Sequence, residues 1–208
     1  MPFSPGASSD DKIIDSMDSF VGRDVVITEK MDGSNSCMDT KNVFARTHTV
    51  PARHPSFNRL KQVHQQILFQ LKENEQIFGE NCFAVHSIVY DLLPSFYFMF
   101  GILNKDTATW ASWSEVKEKA KELGLHTAPE IGVYNFKNLK ELQKTVEDLC
   151  KQKSIFGGSR EGVVLRITDS FSNDQFEHCV VKWVREDHVT TDDHWSLQAI
   201  VPQKIKKD

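Results

Sequence analysis

The sequence predicts a strand-rich α+β domain, and three observations carry that prediction. Apolar, β-prone runs recur along the chain, among them VVIT, FYFMFGIL, GVVL and VVKWV. Three stretches between them place apolar residues at the spacing of an amphipathic helix. No GxGxxG or GxxxxGK[ST] segment occurs, which argues against the usual dinucleotide and P-loop folds and makes a doubly wound architecture a poor match.

The elements follow in chain order. The first ten or so residues, rich in Ser, Pro and Gly, are expected to form a loose lead. VVITEKMDGSNSCMD and KNVFARTHT read as two strands joined by a turn near Asp39 to Asn42. Ser56 to Lys72 reads as a helix, with Leu60, Val63, Ile67 and Leu71 on one buried stripe. QIFGENCFAVHSIVYD and FYFMFGILNKD are β-rich stretches broken at Pro94. In TWASWSEVKEKAKELG, Ser112 and Glu115 stand in capping-box register and Gly124 lies just past the helix end. Asn138 caps a further helix to Cys150, whose buried face is Leu139, Leu142, Val146 and Leu149. KSIFGGSR then punctuates the chain before the strands EGVVLRIT and HCVVKWVRED, and the tail after Asp187 is mixed.

Composition sets the class. A chain of 208 residues with 39% hydrophobic and 26% charged residues buries a core as one large domain and is too short for two full ones. The most apolar stretch, Leu92 to Leu103, contains Pro94 and is too short to span a bilayer, so no membrane role is expected. The N-terminus lacks a secretory pattern, and Cys37, Cys82, Cys150 and Cys179 are scattered singly. Free thiols in a reducing intracellular compartment, cytoplasmic or nuclear with organelles left open, are the expectation. A net charge of -4 argues against a domain that coats nucleic acid by its overall field. His48, His54, His64 and His86 make no metal-binding pattern and read as surface or core residues.

Lys30 is the most informative residue. It ends an apolar strand and precedes MDGSN, where Gly33 permits unusual dihedrals or a close approach. A lysine so held can present its amine to a phosphate, provided neighbouring charges or burial make enough of the neutral amine available. Taken alone, the segment could equally be a surface lysine before an ordinary DG turn.

Further segments add to this. EKMDGSN resembles motif I, KxDG, of the covalent nucleotidyltransferases, the polynucleotide ligases and messenger RNA capping enzymes. FGEN at Phe78 to Asn81 resembles motif III, and FYFMFGI at Phe96 to Ile102 resembles motif IIIa. EGVVLR at Glu161 to Arg166 resembles motif IV, and VVKWVR ending at Arg185 resembles motif V. Five segments in the family's order, over roughly Glu29 to Arg185, are most similar to ATP-dependent RNA ligases of the RNA ligase 2 type, RNA-editing ligases included. The resemblance implies a nucleotidyltransferase (ATP-grasp-like) fold, with antiparallel sheets flanked by helices, as a single adenylyltransferase domain over 1–208. Only 23 residues follow Arg185, too few for a C-terminal oligonucleotide-binding (OB) fold.

The same resemblance assigns roles. Lys30 is similar to the nucleophile that accepts AMP, and Glu29 stands at the position beside the adenine. Asp32 occupies the aspartate of motif I, Asn35 matches an asparagine near the triphosphate, and Arg46 matches an arginine at the ribose or phosphate. Glu80 is similar to the carboxylate that binds the ribose. Phe100 matches the aromatic that stacks on adenine, with Phe98 as the alternative register. Glu161 resembles the ligand of a catalytic Mg2+, or Mn2+ in its place. Lys182 resembles the motif V cation that binds the triphosphate during catalysis. Motif V often has two lysines, so either Arg185 supplies the second cation or that contact is absent.

What the resemblance implies is a cycle fed by ATP and acting on RNA with 5′-phosphate and 3′-hydroxyl ends, with or without a separate nucleic-acid-binding domain or protein. A compact DNA ligase, a capping-type guanylyltransferase and a catalytically idle nucleic-acid-binding module are the alternatives.

Overall fold

The computed structural model describes residues 4–6, 16–186 and 199–206. Its elements are β1 (Asp24–Lys30), β2 (Ser34–Met38), β3 (Val43–Phe44), α1 (Asn58–Ile67), β4 (Glu75–Asn81), β5 (Tyr97–Asn104), β6 (Thr109–Trp110), α2 (Trp113–Glu122), β7 (His126–Thr127), β8 (Glu130–Asn135), α3 (Leu139–Cys150), β9 (Gly162–Ile167), β10 (Phe171–Ser172), α4 (Phe176–Cys179) and β11 (Val180–Val184). They form a four-stranded sheet in the order β11-β9-β1-β8 and a seven-stranded sheet in the order β10-β6-β5-β4-β2-β3, with β7 added parallel to β5. All other named pairings are antiparallel. The α+β expectation with flanking helices describes this architecture.

Strand β1 is central because its residues Val25 to Glu29 are buried on both faces. One core cluster joins Val25 and Ile27 to Val163, Leu165 and Ile167 of β9 and to Leu142, Val146, Leu149 and Cys150 of α3. A second joins Ile77, Tyr97, Met99 and Ile102 of the larger sheet to Leu60 and Ile67 of α1 and to Val116 and Ala120 of α2. Burial of these stripes fixes which face of each helix meets a sheet.

The predicted caps are present. Ser112 and Glu115 form the capping box of α2, and Asn138 accepts from the Glu141 amide at 2.9 Å to start α3. Leu139 is 39% exposed, so the buried stripe of α3 begins only at Leu142. The Asp39 carboxylate accepts from the amides of Lys41 and Asn42 and closes the expected turn. The α-helical part of the 56–72 segment is Asn58–Ile67, with a 3-10 turn on either side.

Three sequence expectations need correction. The stretch read as one strand from Gln76 to Asp91 leaves the sheet at Asn81, because the backbone beyond it bonds to Asp32 and to residues 201–203 instead of to a strand. KNVFARTHT pairs only at Val43–Phe44 before turning, and His48 sits there at φ 54°. Strand β8 was not predicted: its burial alternates only weakly, and it is the edge partner of β1. Of the expected lead, residues 4–6 are described, and the Ser4 hydroxyl and Gly6 amide donate to the Val184 carbonyl. The rest of the lead lies outside the described residues. Among the described residues no helix is long and apolar enough to cross a membrane, and all four cysteines are buried free thiols.

Candidate active site

Strand register assembles the site. Lys30, Gly162 and Val184 lie side by side across β1, β9 and β11, and Thr28, Val164 and Lys182 form the next row on the same face. Glu161 immediately precedes Gly162, and its Oε1 accepts from Lys30 Nζ at 2.6 Å. On the larger sheet, Asn35 pairs with Glu80 and Glu80 with Phe98. An irregularity opposite Phe78 and Gly79 leaves Phe100 as the extra residue between Met99 and Gly101, and it packs half-buried against the first core cluster.

Gly33 lets the strand after Lys30 approach β4. A Cβ on it would lie 2.7 Å from the Asn81 carbonyl oxygen, so close approach, not a positive φ, is what this glycine provides. Asp32 is nearly buried. Its Oδ2 accepts from the Ser87 and Ile88 amides at 2.8 and 2.6 Å, and its own amide donates to the Tyr90 hydroxyl at 2.8 Å.

Carboxylates outnumber cations here. Burial by itself pulls the Lys30 ammonium down, but Glu161, Glu80 and Asp32 together outweigh it and raise its pKa. The surrounding carboxylates therefore favour the ammonium form of Lys30 over the neutral amine. Burial pushes the Glu161 carboxyl up against the opposing pull of Lys30 and, more weakly, of Lys182. Glu80 is pushed up to about 8, first by burial and then by Glu161 and Asp32, with Lys30 opposing. Lys30 and both glutamates thus hold their protons more tightly than in water, as a site with surplus negative charge must.

That surplus suits a divalent cation. Glu161 is 5% exposed and its Oε2 is buried with no hydrogen-bond partner. Among the described residues no three His, Cys, Asp or Glu side chains converge to hold a metal by themselves. The donor set fits an ion held by one carboxylate and completed by phosphate oxygens and water, which is how Mg2+ often binds.

Other predicted residues lie as follows. Lys182 is exposed and faces the Lys30 side of the small sheet. Asn35 Oδ1 is 2.8 Å from His48 Nε2, and His48 packs edge-on to Phe78. Arg46 is exposed in the turn after β3. Phe98 is fully buried with its ring 5.3 Å from that of Phe156, which leaves Phe100 the more open of the two aromatics. Glu29 points to the opposite face of β1 from Lys30, 3.5 Å from Arg160 Nε, and accepts from the Ile155 amide at 3.3 Å. Arg185 donates from Nε to the Arg160 carbonyl at 2.9 Å.

Sequence reasoning missed Arg166, Tyr90, His48 and Gln203. Arg166 is 6% exposed and ties the two sheets together, donating to the carbonyls of Phe100, at 2.9 Å, and Ala111. Its place in EGVVLR was a signal, since a cation inside an apolar run must find partners.

The sequence matches the RNA ligase family over residues 23–184. Comparison with curated proteins finds no match. Among solved structures, the fold is similar to an archaeal ATP-dependent RNA ligase, form 2, with TM-score 0.59 and 20% identity over 81% of this chain and 44% of that one. A Naegleria gruberi RNA ligase with PPi aligns with TM-score 0.55 and 18% identity over 77% of this chain and 53% of that one. A mutant of the same ligase with AMP and Mn gives TM-score 0.59 and 16% identity over 81% and 52%. The chain thus spans about half the length of these structures, which share with it the nucleotidyltransferase fold. With the family matched across both sheets, from the residue before β1 to the last residue of β11, the chain belongs to the RNA ligase family.

Proposed function

We propose that this chain is the adenylyltransferase domain of an ATP-dependent RNA ligase, one domain over 1–208, with Lys30 as its nucleophile. The observation that carries the reading is Lys30 at a strand end, 2.6 Å from a buried glutamate whose second oxygen has no partner. The Lys30 nitrogen forms a bond to the α-phosphorus of ATP as the bond to pyrophosphate breaks. AMP then passes to an RNA 5′-phosphate, freeing Lys30, and a 3′-hydroxyl displaces it to close the phosphodiester.

The residues divide this work. Lys182, on the same face, supplies positive charge for the departing phosphates, with Asn35 and Arg46 assigned to the nucleotide as well. Glu80 is set to accept from the ribose hydroxyls, Phe100 to stack on the adenine, and Glu29 to lie near the base through its strand position. Glu161 would hold Mg2+ or Mn2+, as the Naegleria ligase mutant's Mn suggests. A divalent ion held by Glu161 would supply charge to the phosphate oxygens and would offset the carboxylate that most strongly holds the Lys30 proton. Lys30 reacts as the neutral amine, so its ammonium gives up its proton to solvent before the attack. The buried free thiols support an intracellular setting, cytoplasmic, nuclear or within an organelle.

The test is incubation of the purified chain with magnesium and α-labelled ATP or GTP, then denaturing separation, beside Lys30→Ala. Label from ATP that is lost in the variant supports the reading, and RNA and DNA ends can then be compared. Label from GTP moves the assignment to capping chemistry. No label on folded protein overturns it in favour of a binding module.

A further inference from the structure

Residues 201–206 form an extended strap laid along the 83–93 segment. The Val85 amide donates to the Val201 carbonyl at 2.8 Å, the Gln203 amide to Phe83 at 2.8 Å and the Lys206 amide to Leu93 at 2.9 Å. Bridges pair Ala84 with Pro202 and Leu93 with Ile205. Inside this strap Gln203 is 4% exposed, while its neighbours Lys204 and Ile205 are exposed.

Both ends of the Gln203 amide are used. Its Oε1 accepts from the Tyr90 amide at 3.0 Å, and its Nε2 donates to the Ile88 carbonyl at 2.6 Å. The residues it holds are the ones that hold Asp32: the Ile88 amide donates to Asp32 Oδ2, and the Tyr90 hydroxyl accepts from the Asp32 amide. Asp32 lies two residues beyond Lys30 and is one of the charges that favour its ammonium. A relay of buried hydrogen bonds therefore runs from the strap to the nucleophile's own turn. Removing its first member leaves a buried acceptor and a buried donor unpaired.

Resting on the lysine-adenylylation reading above, we propose that Gln203 is a positioning residue for Lys30, fixing the 87–90 segment that clamps Asp32 and so the angle at which the amine meets Glu161. Displacing a reacting group by an ångström or less costs rate more than binding, because substrate contacts elsewhere survive. The charged groups facing Lys30 are Glu161 before β9, Glu80 on β4 and Asp32 in its own turn, with Lys182 acting on Glu161.

The test compares Gln203→Ala, Gln203→Glu and the exposed control Lys204→Ala in the full chain. Gln203→Ala should slow Lys30 labelling about tenfold at saturating ATP while its KM for ATP changes by less than about threefold. The rate is taken per folded molecule, so lost stability alone would not produce this change. Gln203→Glu, which keeps the acceptor for Tyr90, should show a smaller loss and serves if the alanine variant fails to fold. Lys204→Ala should match the native chain. Independently of nucleotide, amide hydrogen exchange at Asp32, Ser87, Ile88 and Tyr90 should quicken in Gln203→Ala. Native-rate labelling, a loss confined to KM, or unchanged exchange at those amides would overturn the proposal. A native chain that takes no label counts against the ligase reading, and the exchange measurement then decides the clamp alone.

Discussion

Lys30 Nζ and Glu161 Oε1 meet at 2.6 Å although 131 residues separate them, because β1 pairs with β9 in the register that sets Lys30 opposite Gly162. The pair is the electrostatic centre of the site, and its carboxylate is the strongest of the charges that hold the lysine's proton.

Glu161→Gln should therefore do two opposite things to Lys30. With the carboxylate charge gone, the ammonium loses its main support, and the pH midpoint for modification by an amine reagent should fall. Labelling by ATP should nonetheless drop about a hundredfold, because the only carboxylate assigned to the divalent ion is lost. Mass spectrometry of the Lys30 peptide across pH, beside the labelling assay, checks both; an unmoved midpoint would mean the ion pair does not form in solution.

Glu80 predicts a pH dependence of stability. Its carboxyl rises from 4.5 to about 8 on folding, chiefly through burial. A folded state that binds the proton more tightly gains most below pH 4.5 and loses that gain as pH rises through about 8. Glu80→Gln cannot ionise, so its melting temperature relative to the native chain should climb between about pH 5 and pH 8.5. A difference that stays flat across that window would contradict the assignment.

Arg166→Lys should not be conservative. The guanidinium donates to both Phe100 and Ala111 and lies over the Phe171 ring at 5.3 Å, a fork that one ammonium cannot reproduce. Chemical denaturation should show a loss of about 2–3 kcal/mol. The KM for ATP should rise as well, since the strand carrying Phe100 is released.

Gly162→Ala should disturb the chemistry through the backbone. An added Cβ there runs into the Trp183 carbonyl on the neighbouring strand. Overpacking of this kind costs about 1–3 kcal/mol, and the residue displaced with it is Glu161. Equilibrium unfolding and nucleotide labelling should both register the change; native values in both would mean that β9 and β11 are not so closely packed.

Much of this was legible because the chemistry is written into short local patterns. The stripe Leu142, Val146, Leu149 and the Ser112–Glu115 box depend on spacing alone, and spacing is visible in a sequence. Lys30, Glu80, Glu161 and Lys182 could be picked out because each sits in a short motif at a strand. The relations that were not legible join distant backbone groups. The partners of Gln203 and Asp32 are amides and carbonyls, which every residue carries, so no residue type announces them. β8 escaped notice because an edge strand needs no strong alternation. The direction of the Lys30 pKa was not legible because it depends on how many carboxylates converge, and only the folded sheets decide that.

The alternation along β1 also guards against misfolding. Glu29 meets Arg160 on one face and Lys30 meets Glu161 on the other, so adjacent residues of opposite charge each find a complementary partner. A slip of one residue would exchange them, setting lysine against arginine beneath the 155–160 loop and glutamate against glutamate in the cleft. Both mismatches would be buried, where like charges are least tolerable. A misaligned copy would thus be penalised twice in free energy, and the register that brings Lys30 to Glu161 is the one that lets the sheet close.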